Sequence, residues 1–119
     1  MLIPASDNVS AVLKSALDGL SLRQRVIANN VANIDTPNFT GSTVDFESAL
    51  RSAIAEGQVA GREIVPTTGT SSTPVGPNGN NVDLRTETVT AMQSVFQYQL
   101  LTRAVGDRFS LVTTAIGGM

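Results

Sequence analysis

The sequence predicts an all-α protein, an antiparallel helical hairpin or coiled coil of N- and C-terminal helices with a largely irregular middle insert. Two long segments, one towards each end of the 119-residue chain, carry apolar residues at the alternating spacing of three and four that marks one helix face. The middle is rich in Gly, Ser, Thr and Pro and keeps no long apolar period. We therefore divide the chain into residues 1–40, 41–82 and 83–119, with the long helices expected at about 7–35 and 83–116.

The N-terminal helix is expected to begin after Pro4, where Ser6 and Asp7 offer N-caps. Its apolar seam has one polar member, Gln24, and such a residue more often sets the register of a coiled coil than binds a ligand. The seam predicts packing on another helix, either of the same chain or of a neighbouring subunit. It consists of Leu13, Leu17, Leu20, Gln24, Ile27, Val31 and Ile34.

Three asparagines crowd the last two turns of this helix, although asparagine is a poor helix former. Thr36 precedes Pro37 and is pushed out of the α region, so the helix should stop at about Asp35. A helix end leaves carbonyl groups unpaired, and the proline lacks a donor, so we interpret the amides as hydrogen-bond clamps to another segment or subunit. The alternative is a frayed polar helix end. The predicted assembly motif comprises Asn29, Asn30, Asn33, Asp35, Thr36 and Pro37.

The middle insert carries one short predicted helix. Residues 40–44 should be extended, after which Asp45 caps a helix that passes through Phe46, Leu50, Ala53 and Ile54 and stops at Gly57. Residues 58–65 indicate an irregular extended piece, and residues 66–80 a flexible loop. Asn78-Gly79 favours a tight turn within that loop. It is not a phosphate-binding loop, because no Gly-Lys-Ser/Thr sequence follows the glycines.

The C-terminal helix is expected to be capped by Asn81 or Asp83 and to end at Gly117 and Gly118. A second apolar stripe accompanies its seam and widens the apolar face beyond what one helix of the same chain covers. This width indicates a partner outside the hairpin. The seam is Ala91, Val95, Tyr98, Thr102, Val105, Phe109, Val112 and Ile116, and the second stripe is Leu101, Ala104, Leu111 and Ala115.

The composition argues against catalysis. The chain has no histidine and no cysteine, so the usual general base near neutral pH and the best nucleophile are both missing. The closest acidic pair, Asp45 and Glu47, points to different faces of a helix. We expect no catalytic residues, no cofactor, no metal ion and no small-molecule substrate.

The charge and the hydropathy also limit the partners. A net charge of −2 gives no electrostatic attraction to nucleic acid or to an anionic membrane. No cleavable signal peptide and no membrane-spanning segment are visible. Lys14 should be a solvated surface charge. Arg23 and Arg25 flank the seam and should also be solvated, with an inter-subunit ion pair as the alternative.

The stretch ANNVANIDTPNF, residues 28–39, resembles the N-terminal motif of bacterial flagellar rod and hook subunits, the axial proteins of the flagellum. Its Asp-Thr-Pro ending is similar to that of the proximal rod members. Asn38-Phe39 stands where the family usually has Gly-Tyr. The segments Asn81-Val82-Asp83-Leu84, Gln97-Tyr98-Gln99 and Leu101-Thr102-Arg103 look like the C-terminal helix of the same subunits.

The resemblance implies a structural subunit of the proximal rod, which polymerises through its terminal helices into the drive shaft of the flagellar motor. It implies export through the flagellar type III apparatus without a cleaved signal peptide, followed by assembly in the periplasm. The implied partners are the chain itself, other rod subunits, the export gate or membrane-ring base, and adaptor proteins. Two alternatives remain open on the residues alone: another axial rod subunit, or a helical-hairpin binding module or type III-exported partner that forms a closed complex.

Overall fold

The apolar segments at the two ends of the chain form long helices that lie side by side. The computed structural model describes residues 5–57 and 64–117, with the side chains of residues 9–57, 64–103, 106 and 107. Its principal extents are 66 × 27 × 16 Å. The elements are α1 (Ala5–Ala32), β1 (Ser42–Asp45), α2 (Glu47–Glu56), β2 (Thr67–Thr70) and α3 (Leu84–Gly117).

The two long helices run antiparallel. Asn30, near the end of α1, bonds to Glu87, near the start of α3. Leu101, further along α3, packs instead against the cluster that contains Ala16 and Leu20 of α1. This arrangement agrees with the predicted hairpin.

The fold is mostly helical, as predicted, but the all-α class is corrected by a small antiparallel sheet. Strand β1 pairs with β2 in a register that places Ser42 opposite Thr70 and Asp45 opposite Thr67. All four residues of β2 are exposed, so this strand carries no apolar alternation from which the sequence could have shown it. Its threonines still suit a strand, because β-branched side chains favour the extended conformation.

The compact part of the core lies where α2 crosses α1. Phe46 and Leu50, both 8% exposed or less, pack with Leu20 and Ala53. Gly19 of α1 is required here, because a Cβ atom at this position would collide with the Phe46 ring. The absent side chain therefore lets the aromatic ring lie directly on the helix backbone.

The helix boundaries follow local capping. The first helix starts at Ala5, so Ser6 and Asp7 lie inside its first turn and are not its N-cap residues. It ends at Ala32, three residues before the predicted stop, because the chain then tightens into turns with bonds such as Thr36 N–H to Asn33 O at 3.0 Å. Pro37 follows those turns.

The predicted caps are present at the end of α2 and at the start of α3, but the N-cap residue of α2 is Phe46 and not Asp45. Oδ1 of Asp45 accepts a bond from the Ser48 amide at 3.1 Å, and Gly57 closes α2 in the left-handed conformation at φ 71°. The hydroxyl and the amide of Ser48 hold the pKa of the Asp45 carboxyl below its ordinary value. Asp83, and not Asn81, caps α3 through the Arg85 amide at 3.1 Å.

The predicted seam of α1 only partly coincides with the face that packs inside the chain. Leu20 and Ile27 are buried, and Leu13, Leu17 and Ile34 are half-buried, but Gln24 and Val31 are exposed. The positions beside them, Arg23 and Asn30, point inward. Strand β1 presents backbone polar groups to α1, so polar side chains occupy these interior positions.

The α3 seam likewise faces mostly outward in the described region. Ala91 is half-buried, while Val95, Tyr98 and Thr102 are exposed and Ser94 is buried in their place. The side chains of Val105, Phe109, Val112 and Ile116 lie outside the described residues. Most of the second stripe, namely Ala104, Leu111 and Ala115, lies outside them as well.

Residues 66–80, predicted as a flexible loop, are ordered by β2 and by hydrogen bonds. Asn78 O accepts from the Asn38 amide at 3.0 Å, and Gly76 N–H donates to Asn80 O at 2.9 Å. The predicted turn at Asn78-Gly79 is present, with Gly79 at φ 77°. Residues 58–63, part of the predicted extended piece, lie outside the described residues.

Candidate assembly site

The carboxamide of Asn30 joins three elements of the fold. Asn30 is completely buried, and its side chain bonds to both backbone groups of Ser42 in β1. Its Nδ2 donates to Ser42 O and its Oδ1 accepts from Ser42 N–H, both at 2.9 Å. Nδ2 also donates to Oε1 of Glu87 at 3.1 Å. The side chain thus pairs with β1 as the backbone of a neighbouring strand would.

Arg23 donates to the same strand, at a residue two positions after Ser42. Its Nη2 donates to Val44 O at 2.7 Å and forms an ion pair with Glu47, while its guanidinium lies 4.9 Å from the centre of the Phe46 ring. Only 13% of the Arg23 side chain is exposed. The expectation of a solvated Arg23 is therefore wrong, because the unpaired carbonyl of β1 needs a donor inside the subunit. Arg25 is exposed, as expected.

Asn80 closes the end of α1. Its Nδ2 donates to the carbonyls of Asn33 and Thr36, each at 2.8 Å. Its Oδ1 accepts from the amide of Val82 at 2.7 Å, so every polar atom of this buried side chain is used. The donors that the helix end requires thus come from the segment before α3.

Asn81 bonds to the segments that flank the two strands. Its Nδ2 donates to Ser71 O at 3.0 Å, and its Oδ1 accepts from the Gly41 amide at 2.7 Å. Asn30, Asn80 and Asn81 are all less than 8% exposed, and together we call them the asparagine junction. The junction ties the end of α1, the sheet and the start of α3 into one unit.

The remaining residues of the predicted motif form hydrogen bonds with one another at the end of α1 or are exposed to solvent. Asn33 Nδ2 donates to Asn29 O at 2.8 Å, and its Oδ1 accepts from the Thr36 hydroxyl at 3.1 Å. Asn29, Asp35 and Pro37 are exposed. Asn30 therefore clamps segments of its own chain, while an inter-subunit role for the motif stays a prediction.

The turn after Pro37 explains the departure from the usual Gly-Tyr. Asn38 adopts φ 62°, in the left-handed region where glycine is the default and asparagine is among the best tolerated alternatives. Its side chain lies against Gly79, where a Cβ atom would collide with Oδ1 of Asn38. Asparagine at position 38 can therefore adopt the turn geometry that glycine usually provides.

Sequence reasoning missed Asn80 as a site residue and gave Asn81 only a capping role. One signal was present, because Asn80-Asn81 is a second Asn-Asn pair beside the helix breaks, like Asn29-Asn30. The pairing of the two segments could not be inferred from one sequence, since it depends on how the loop folds back on α1.

Beyond this junction, α3 carries a wide exposed apolar surface. Its members lie on adjacent turns and are between 40% and 68% exposed. A contiguous apolar surface of this kind is characteristic of a protein contact. The exposed residues are Val89, Met92, Val95, Phe96, Tyr98 and Leu100.

Within residues 5–57 and 64–117, no helix combines the length and the apolar character needed to cross a membrane. That part of the chain also contains no group of three or more His, Cys, Asp or Glu residues arranged to hold a metal ion.

An antiparallel helical hairpin that is held together by buried asparagines and exposes one apolar face is typical of a structural protein that packs against other subunits. The model of the family "Flagella basal body rod protein" matches residues 11–40, which contain most of α1 and the predicted motif. The chain is 32% identical to the flagellar basal body rod protein FlgB of Bacillus subtilis (strain 168), over 89% of this chain and 91% of that protein.

The chain has a similar level of sequence identity to FlgB proteins of other bacteria. That of Borreliella burgdorferi is 32% identical over 84% of this chain and 89% of its own length, and that of Escherichia coli (strain K12) is 29% identical over 86% and 90%. The chain belongs to the FlgB family of flagellar basal body rod proteins. It is a structural component of the proximal rod, located in the basal body, where it associates with other rod components.

Proposed function

We propose that the chain polymerises through its terminal helices, residues 1–40 and 83–119, while residues 41–82 form an insert that braces the hairpin. The observation that carries this proposal is the exposed apolar surface of α3. Met92 and Phe96 are 68% and 61% exposed in the lone subunit. Burying such side chains gains about 1.5–3 kcal/mol each, so a neighbouring subunit that covers them is favoured.

The predicted seams are the second support for polymerisation. Gln24 and Val31 of α1, and Val95 and Tyr98 of α3, belong to the predicted helical seams but are exposed in the described part of the chain. In this proposal they pack on helices of adjacent subunits, with Gln24 setting the register. The exposed members of the motif, Asn29 and Asp35, contribute hydrogen bonds to the same contacts.

The proposal extends to the location and the partners. The chain is exported through the flagellar type III apparatus without a cleaved signal peptide and assembles in the periplasm. It contacts itself, other rod subunits, the export gate or membrane-ring base, and adaptor proteins. Its role is structural and not enzymatic, and it requires neither a cofactor nor nucleic acid. The family relationship supports these points, since rod components lie at the base of the flagellum.

The test is to replace Met92 and Phe96 together by Ser and to image basal bodies from cells by electron microscopy. We expect the rod to be lost while the purified variant keeps the helical circular dichroism of the parent chain, because neither side chain is buried in the subunit. Export is followed separately by detecting the variant outside the cytoplasm.

Val75→Ser is the matched control, since Val75 is 65% exposed but lies in the segment before α3 and not on its apolar surface. It should leave the rod intact. Normal rods in the α3 double variant would contradict the proposal. A closed, stoichiometric complex formed by the parent chain would favour a helical-hairpin binding module instead.

A further inference from the structure

A groove of about 340 Å³ lies between α1, α3 and β1. Ile27 and Val44 line it and are each 8% exposed, so they form an apolar floor. Glu47, Gln93 and Gln97 also line it and are exposed, so they form a polar rim. The groove therefore combines apolar area with hydrogen-bonding groups, as a protein docking site does.

The charge of this groove is unbalanced. Arg23 is the groove's cation, and it is already paired with Glu47 and bonded to Val44 O. Glu87 accepts one bond, from the neutral amide of Asn30, and it pairs with no cation in the described part of the chain. The groove thus presents one carboxylate that a cationic side chain from outside would neutralise.

The outer surface of α3 carries cations that match this carboxylate. Arg85 and Arg103 are exposed, and neither forms an ion pair with a described residue. They lie on the same helix face as the apolar residues between them, since the spacing follows the helix period of 3.6. We define the outer face of α3 as Arg85, Val89, Met92, Phe96, Leu100 and Arg103.

The outer face and the groove lie on different sides of α3. The groove is lined by Thr90, Ser94 and Gln97, whereas Met92 and Phe96 belong to the outer face. With 3.6 residues per turn, the centres of the two faces are roughly 120° apart around the helix. One subunit can therefore use both faces at once, and such a head-to-tail contact generates an open assembly.

We propose that the outer face of α3 in one copy docks in the groove of the next copy and places Arg85 or Arg103 against Glu87. The inference rests on the proposed polymerisation and names its surfaces. Met92 or Phe96 covers the apolar floor of the groove, and the charge pair fixes the register. Charge complementarity thus identifies a second copy as the occupant.

The first test is a double-mutant cycle on self-association of the full chain, measured by sedimentation. Glu87→Gln removes the charge but keeps an oxygen that accepts from Asn30 Nδ2, so the variant should fold, which circular dichroism checks. We expect Glu87→Gln to weaken self-association on the order of tenfold, as does the matching Arg85→Gln or Arg103→Gln. The combination of Glu87→Gln with that arginine variant should be no weaker than either alone.

Arg25→Gln is the control, because Arg25 is exposed on α1 and does not line the groove. Its effect should be small and should add to that of Glu87→Gln. Coupling of Glu87 with neither Arg85 nor Arg103, in a chain that still self-associates, would overturn the groove contact but leave polymerisation standing. A parent chain that stays monomeric at every concentration would overturn both.

A second test does not depend on Glu87. The chain has no cysteine, so single cysteines report contacts cleanly. We expect copies with Gln93→Cys, in the groove, to cross-link on oxidation with copies that carry Met92→Cys, on the outer face. Neither variant alone should cross-link. Cross-linking of Met92→Cys with itself would indicate a symmetric contact and would overturn the head-to-tail arrangement.

Discussion

The buried asparagines of this chain act as substitutes for backbone partners. A carboxamide offers a donor and an acceptor side by side, which is the pattern that a strand presents to its neighbour. Asn30 uses both on Ser42, and Asn80 uses its donor group on two carbonyls at the end of α1. A polar side chain is stable in these positions because each of its hydrogen bonds is made.

We expect Asn30→Ala to lower the free energy of unfolding of the subunit by about 1–3 kcal/mol, because the partly buried backbone groups of Ser42 lose their partner. Asn29→Ala is the neighbouring control. Asn29 is exposed, and its side chain makes only a 3.4 Å contact with Asn33, so the change should stay within about 0.5 kcal/mol. Urea unfolding followed by circular dichroism measures both. Equal values for the two variants would contradict the assigned role of Asn30.

The sequence identified the asparagines of α1 as unusual but could not rank them. Asn29, Asn30 and Asn33 share the same helix end, and only the path of β1 selects Asn30 as the buried one. Asn80 was missed and Arg23 was predicted to be solvated for the same reason, since their partners are backbone carbonyls of distant segments. Long-range pairing of this kind leaves no local pattern in one sequence.

Among the secondary structure elements, the long helices could be predicted from the sequence, whereas one strand of the sheet could not. The two long helices have a strong 3.6-residue period and were predicted to within about three residues at each end. Strand β2 was not predicted, because its residues are exposed. Its pairing with β1 also depends on how the chain turns to bring residues 66–80 alongside β1. Packing of α2 on α1 depends on one further feature, the absence of a side chain at Gly19.

Replacement of glycine by alanine should have opposite effects in the two long helices. Alanine normally stabilises a helix interior by about 1 kcal/mol relative to glycine. At Gly106 of α3 a Cβ atom would meet nothing within 4 Å, so Gly106→Ala should show this gain. At Gly19 it would collide with the Phe46 ring, and overpacking costs typically about 1–3 kcal/mol.

We therefore expect Gly19→Ala to lower the midpoint of urea unfolding and Gly106→Ala to raise it. The combination Gly19→Ala with Phe46→Leu should recover part of the loss, because the smaller side chain leaves room for the methyl group. A rise in the midpoint for Gly19→Ala would show that α2 does not pack on α1 at this position.

The molecule as a unit has long helices and a small core. Helices of 28 and 34 residues extend along a body only 27 × 16 Å in its shorter dimensions. The buried apolar residues of the described region cluster mainly where α1, β1 and α2 meet, while the outer face of α3 stays exposed. In the described region, a large part of the apolar surface of α3 is thus exposed and could be covered by a neighbouring subunit.

This imbalance predicts that the subunit gains stability by assembly. Binding that occurs only in the folded state raises the apparent stability with concentration. We expect the melting temperature, followed by circular dichroism at 222 nm, to rise with protein concentration over the range in which light scattering reports association. The variant with Ser at positions 92 and 96 is the control, because it should remain monomeric and melt at a constant temperature. A parent chain that associates but melts at the same temperature throughout would show that the contacts of α3 contribute nothing to folding.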